Sequence, residues 1–278
     1  MSRTAGETAG EAPGTAGPQP ATTPGTAGPQ PGTAGPQPAP APAGAPGRRL
    51  SAVLQGVVIA LGLVLMVGGF GVVAVGYRPY SVPTDSMEPT VRPGDTVLAR
   101  TSDGKDIGRG DVVVFRDSGW GGALMVKRVV AVGGDTIVCC DARQRIAVDG
   151  TAIDEPYLAH GYNAGKFSVR IPQGRLFLMG DNRLGSLDSR VHLDQASGTV
   201  PASDVVGRVE GTAWPMARMG GIDRTAAFDA VRGPGAASAH GPLVPAALVS
   251  AAGALLVLVT AAVGPAAELL RRLRRRAR

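Results

Sequence analysis

The chain has 278 residues, 28 of them Lys or Arg against 22 Asp or Glu, for a formal charge of +6. That length could hold one or two domains, and the charge calls for no nucleic acid, because six arginines between Arg271 and Arg278 supply the excess. Two adjacent cysteines cannot make a disulfide framework, and three scattered histidines offer no paired metal-ligand spacing, so no metal is expected.

Residues 1–47 are low-complexity Ala, Gly, Thr and Pro, with TAGPQP at 15–20, 26–31 and 33–38 and no aromatic residue. Such a tract buries too little apolar surface to offset its ordering entropy, so 1–49 reads as a disordered, partly polyproline tail. The 28 residues from Leu50 to Tyr77 carry no charge. A bilayer core is crossed by about 20 apolar helical residues, so 50–77 is expected to be a transmembrane helix. The run is too long, and too far behind the tail, for a signal peptide.

Just beyond it comes VPTDSMEP at 82–89, a Ser-Met pair between prolines. Thr, Asp, Ser and Pro all suit a β-turn, which is the plain reading. The other reading makes Ser86 a nucleophile, and that requires a neighbouring base to take its proton.

From 94 to 210 short β-rich runs alternate with Gly and Asp: DTVLAR, DVVVF, ALMVKRVVAV, TIVCC, RIAVDGTAI, RLFLMGD and DVVGRVEG. They read as strands, and Asp149–Gly150 is a two-residue hairpin signal. The predicted fold class is mainly β, with antiparallel sheets or a partly closed barrel, flanked by N- and C-terminal transmembrane helices.

Three residues of the chain are lysines. Lys105 and Lys166 lie in turn-like stretches, but Lys127 sits inside an apolar strand, with Met125, Val129 and Ala131 on its own face by two-residue alternation. Desolvation disfavours an ammonium there, and a neutral lysine can accept a proton where an arginine cannot. The bland alternative is a lysine that snorkels to solvent or pairs with an acid. Cys139 and Cys140 read as two thiols in or beside a strand, with a vicinal disulfide, a strained ring, as the alternative. A Ser-His-Asp triad would use His160 or His192 with Asp188, but no G-x-S-x-G elbow is present.

A second apolar run, 243–267, is read as a second transmembrane helix, followed by a basic tail at 268–278. Arg48 and Arg49 precede the first span, and the arginine cluster follows the second. Positive flanks stay cytoplasmic, so both termini are expected inside and the domain 78–242 (core 80–211) outside.

Four blocks now stand in order: SMEPTVRPGD at 86–95, RGDVVVF at 109–115, KRVVAVGGD at 127–135 and GDNRLGSLDSR at 180–190. With the preceding span they resemble bacterial type I signal peptidases of actinobacterial type, which are membrane-anchored serine proteases with a Ser-Lys dyad. The resemblance implies that Ser86 is the nucleophile and Lys127 the general base. It implies that Ser186 orients the lysine amine, and that Thr84 supplies an oxyanion donor beside the Ser86 amide. Asp181, Asp188 and Arg190 would be structural, with the last two paired near the lysine. Val82, Met87 and Val126 would line shallow substrate pockets.

The implied activity is removal of signal peptides from secretory precursors after small residues of A-x-A type. It needs no cofactor, and it takes place on the outer face of the cytoplasmic membrane, near the Sec/Tat export machinery. A self-cleaving or regulatory Ser-Lys protease and a non-catalytic peptide-binding relative are the rivals. The chain departs from the family pattern at Leu184–Gly185 and at Asp85, where glycine is common. A carboxylate at 85 could oppose a developing oxyanion, so Asp85→Gly is expected to raise turnover.

Overall fold

The computed structural model describes residues 46–159, 165–222, 225–233, 235 and 241–277. The repeat tail (1–45) and His160 lie outside the described residues. The chain enters through helix α1 (Pro46–Gly76) and leaves through helix α2 (Leu243–Arg276). Both are long and apolar enough to cross a membrane. They pack antiparallel. Gly69 lies against Ala246 and Ser250, Gly62 against Gly253 and Val257, and Gln55 Nε2 donates to Thr260 O at 3.1 Å. A Cβ at Gly62, Gly69 or Gly253 would meet backbone of the other helix, so glycine sets how closely the two approach. Outside this seam, Val53, Leu54, Val64 and Phe70 of α1 and Leu248, Leu255 and Leu258 of α2 are exposed.

Two sequence boundaries shift. The uncharged run read as 50–77 stops being helical at Gly76, because Tyr77 turns into the first strand, where it is buried and donates to Glu210 Oε2 at 2.6 Å. The run read as 243–267 continues helical through Pro265 to Arg276, since Glu, Leu and Arg are all good helix formers. Pro245, which interrupts the apolar run, falls in the first turn of α2, where a missing N–H costs nothing.

Between the helices lie β1 (Tyr77–Ser81), β2 (Thr96–Thr101), β3 (Val112–Arg116), β4 (Leu124–Val132), β5 (Thr136–Cys139) and β6 (Ile146–Val148). They are followed by β7 (Thr151–Ala152), β8 (Phe167–Arg170), β9 (Arg175–Met179), β10 (Val200–Pro201), β11 (Val205–Trp214) and β12 (Gly220–Gly221). The larger sheet runs β1-β2-β11-β3-β4-β9-β10, with β12 on β11; the smaller runs β7-β6-β5-β8. Every pairing is antiparallel, so the class is mainly antiparallel β, as read from the strand pattern. Asp149 and Gly150 carry φ of 49° and 77° and join β6 to β7, the primed turn their dipeptide signals. Strands β1, β8, β10 and β12 were not legible. Two of them have two residues each, and β1 contains Pro79, which an edge strand tolerates.

Register breaks in β4 and β11 add bulges that bend the larger sheet. The one between Val129 and Ala131 overturns part of the alternation argument. Val129 stays with Met125 in the cluster around Phe115 and Leu178, whereas Ala131 joins Val130 in the cluster around Phe177 and Met179. One extra residue in a strand inverts every later side chain. Ala131 therefore does not share the face expected for it.

Cys139 and Cys140 are joined as a vicinal disulfide at the end of β5, so the alternative reading, and not the pair of thiols, describes the structure.

Candidate active site

Ser86 sits in the turn that leaves the β1 edge. Val82 N donates to Asp95 O at 2.9 Å and Gly94 N to Val82 O at 2.8 Å, closing the loop at its base. Above that base Glu88 N donates to Asp85 O at 2.9 Å and Val91 N to Met87 O at 3.0 Å. Met87 and Val91 are fully buried in the cluster with Val97, Val112 and Val209. The turn chemistry and the nucleophile reading are thus compatible, because Pro, Asp and Met anchor the loop and leave Ser86 to face the cleft.

Lys127 comes from the middle of β4, paired with Val113 of β3. Its Nζ lies 2.8 Å from Ser86 Oγ and donates to Val126 O at 3.1 Å. Lys127 is 5% exposed and Ser86 7%. Burial lowers the lysine pKa below its ordinary value, and the Asp188 and Asp181 carboxylates only partly offset this. The snorkelling alternative is excluded by that burial. A desolvated amine in hydrogen-bond contact with a hydroxyl is an arrangement able to deprotonate it.

The loop after β9 encloses this pair. Asp188 is fully buried, and Arg190 binds it with Nε and Nη2, each at 2.8 Å. Burial pushes the Asp188 carboxyl up, but Arg190, the Gly180 N–H and Ser186 outweigh it and hold the carboxyl below the usual range. Asp181 takes a two-pronged bond from Arg128, at 2.8 and 2.6 Å, and a third from Thr90 Oγ1 at 2.6 Å. Arg128 also lies 4.2 Å over the Tyr157 ring. Arg183 pairs with Glu155 and donates to Gly180 O at 3.0 Å. Arg128, Arg183 and Glu155 were missed in the sequence. Arg128 had a legible signal: it follows Lys127 in a strand and so points to the opposite face, where a cation needs an acid.

The remaining expected residues gather unevenly. Thr84 is exposed, with Oγ1 3.4 Å from Ser86 Oγ. Val82, Met87 and Val126 line one cleft of ≈ 480 Å³ together with Thr84, Ser86 and Lys127. Ser186 is buried beside them but makes no hydrogen bond to the lysine. Its hydroxyl lies against Gly180, where a Cβ would strike both Ser186 Oγ and the Ser86 carbonyl oxygen. His192 stacks on Trp120 at 4.3 Å, and Asp188 is taken by Arg190, so the triad alternative has no support in these contacts.

Asp85 differs from expectation. Its side chain is exposed, and Asn182 Nδ2 lies 3.5 Å from Oδ2. A carboxylate that is not among the cleft-lining residues and inclines to Asn182 Nδ2 stands to the side of the Ser86 face of the cleft, which weakens the reason for a gain on deletion. Asp85→Gly is now expected to leave kcat for a peptide substrate within about twofold, as for other exposed side chains. A tenfold rise in kcat would restore the electrostatic objection.

Comparison with known proteins adds the family. Residues 51–214 match the model described as signal peptidase, peptidase S26. A probable signal peptidase I of Mycobacterium leprae is 34% identical over 209 residues, covering 52% of this chain and 71% of the relative. Signal peptidase I of Mycobacterium tuberculosis is 32% identical over 197 residues, covering 51% and 67%. Signal peptidase I U of Bacillus subtilis is 30% identical over 161 residues, covering 54% and 82%. The matched span holds the cleft, both halves of the Ser86–Lys127 contact and the whole enclosing loop, and on that ground the chain belongs to the bacterial type I signal peptidases, serine endopeptidases of the peptidase S26 family.

Proposed function

We propose that Ser86 and Lys127 are the catalytic dyad and that the enzyme cuts secretory precursors after an A-x-A type sequence. The observation that carries the reading is the 2.8 Å contact between a buried amine and a buried hydroxyl at the floor of the cleft. Lys127 takes the Ser86 proton as Oγ attacks the scissile carbonyl. The resulting ammonium returns that proton to the leaving amine, and an acyl-enzyme remains. That leaving amine is the new N-terminus of the mature protein, and water, deprotonated by Lys127, then hydrolyses the ester and frees the signal peptide. Thr84 Oγ1 and the Ser86 N–H stabilise the oxyanion. The Ser186 hydroxyl, buried beside Gly180 and close to the Asp188 carboxylate, is available to orient the amine. Asp181, Asp188 and Arg190 hold the loop.

The residues at 81–83 and 123–125 flank the cleft and suit an extended peptide that pairs through its backbone. In such a peptide the residues one and three before the scissile bond point the same way, and Val82, Met87 and Val126 leave them little room. Synthetic precursor peptides test this in detergent. A single cut after the second small residue is expected, and equal cutting of a peptide with Leu at both positions would overturn the specificity.

Membrane placement belongs to the same proposal. Helices α1 and α2 cross the bilayer, both termini lie inside, and 78–242 lies outside near the export machinery, where precursors emerge. Arg271, Arg272, Arg274, Arg275 and Arg276 trail the second span and favour the inner face. A tag after Arg278 should be protected from external protease in intact cells, and one inserted near Gly233 should be cut. Digestion of the C-terminal tag from outside would contradict two crossings.

A further inference from the structure

We infer that Asn182 is a positioning residue for the oxyanion donor, acting through the peptide that joins Asp85 to Ser86. This rests on the Ser86 reading above. Asn182 grips that peptide and its successor. Its backbone N donates to Ser86 O at 3.1 Å, and its side-chain Nδ2 donates to Asp85 O at 3.3 Å. Glu88 N donates to the same Asp85 oxygen at 2.9 Å. In a trans peptide the C=O and N–H point in opposite directions. Two donors on the Asp85 carbonyl therefore turn the Ser86 N–H away from the Asn182 loop and fix its plane. They also polarise the peptide, which makes that N–H a stronger donor.

The amide has one sensible orientation. Gly185 N lies 3.3 Å from Asn182 Oδ1, so the oxygen end is used as an acceptor and the NH₂ end is left for Asp85. Gly185 also makes the room. A Cβ there would come within 2.7 Å of Asn182 Nδ2. The Leu184–Gly185 departure from the family pattern thus has a local consequence, a loop that closes tightly over the amide.

An oxyanion exists in the transition state and not in bound substrate, so a fault in its donor lowers kcat and spares KM. Two variants of the full-length enzyme in detergent separate this from a structural role. Asn182→Asp keeps the shape and the acceptor for Gly185 but removes the donor. Gly185→Ala keeps Asn182 and displaces its amide. Each should lower kcat for an A-x-A peptide by roughly tenfold to a hundredfold, somewhat less than deleting an oxyanion donor outright. KM should stay within about twofold, and the pH midpoint of kcat/KM should not move, because Lys127 remains buried. Wild-type kcat in Asn182→Asp, or a loss confined to KM, overturns the inference. So does a shifted pH midpoint, which would signal a disturbed fold around the lysine. Ser86→Ala assayed alongside distinguishes the two levels. If it keeps turnover, the dyad reading fails; if it is inactive while the Asn182 and Gly185 variants are normal, only the present inference does.

Discussion

Ser86→Ala should lose peptide cleavage by roughly a thousandfold or more, since removing the nucleophile of such a unit leaves only the background from binding and the oxyanion donors. The fold should survive. Ser86 contributes one hydroxyl to the interior, and its backbone bond from Asn182 N at 3.1 Å is untouched by the change. The thermal midpoint is therefore expected to stay within a few degrees. Cleavage by Ser86→Ala at more than a tenth of the wild-type rate, in a preparation free of other peptidases, would remove Ser86 from the mechanism.

Lys127→Arg should be about as damaging, even though it conserves charge. A general base in this position contributes on the order of a hundredfold to ten-thousandfold, and a guanidinium does not become neutral near physiological pH. The site also lacks room for its planar fork, since Lys127 is 5% exposed and its Nζ is already within 2.8 Å of Ser86 Oγ. In the wild type the pH dependence follows from the direction of the lysine shift. Burial favours the neutral amine, the form that accepts the proton, and lowers its pKa from 10.5. Activity is low while the amine is protonated, rises as pH climbs through that lowered value, and levels off above it. The rising limb of kcat/KM should thus lie below the range of an exposed lysine. A profile flat from pH 6 to 9 with chemistry limiting would speak against Lys127 as the base.

The enclosing loop shows how far residue order alone could carry such claims. The block at 180–190 pointed to Asp188 and Arg190, and they pair as a polar motif two residues apart can. Asp181 was placed near them in sequence, but its partner is Arg128 of β4, 53 residues away, and no local pattern marks that pairing. Asn182 was not singled out at all, because its effect is exerted through hydrogen bonds to a turn 97 residues earlier. Ser186 shows the reverse. The resemblance implied a bond to the lysine amine, whereas the packed loop puts its hydroxyl against Gly180 and towards Asp188, with no bond to the amine.

What the sequence determined by itself is what short-range chemistry controls. β-branched runs broken by Gly and Asp specified the strands, Asp149–Gly150 specified a hairpin, and two long uncharged runs specified two long helices. A lysine among apolar neighbours pointed to a desolvated amine, but the snorkelling alternative fell only to the burial that the folded sheet imposes. Tertiary structure alone decided which hydroxyl that amine meets, because Ser86 and Lys127 are 41 residues apart and are joined by sheet register. It also decided that Ala131 leaves the face of Lys127, through one bulged residue, and that α1 and α2 meet at Gly62, Gly69 and Gly253. Strand propensity and hydrophobic run length are sums over neighbours in the chain, whereas register, bulges and close helix contact depend on partners that the chain order does not name.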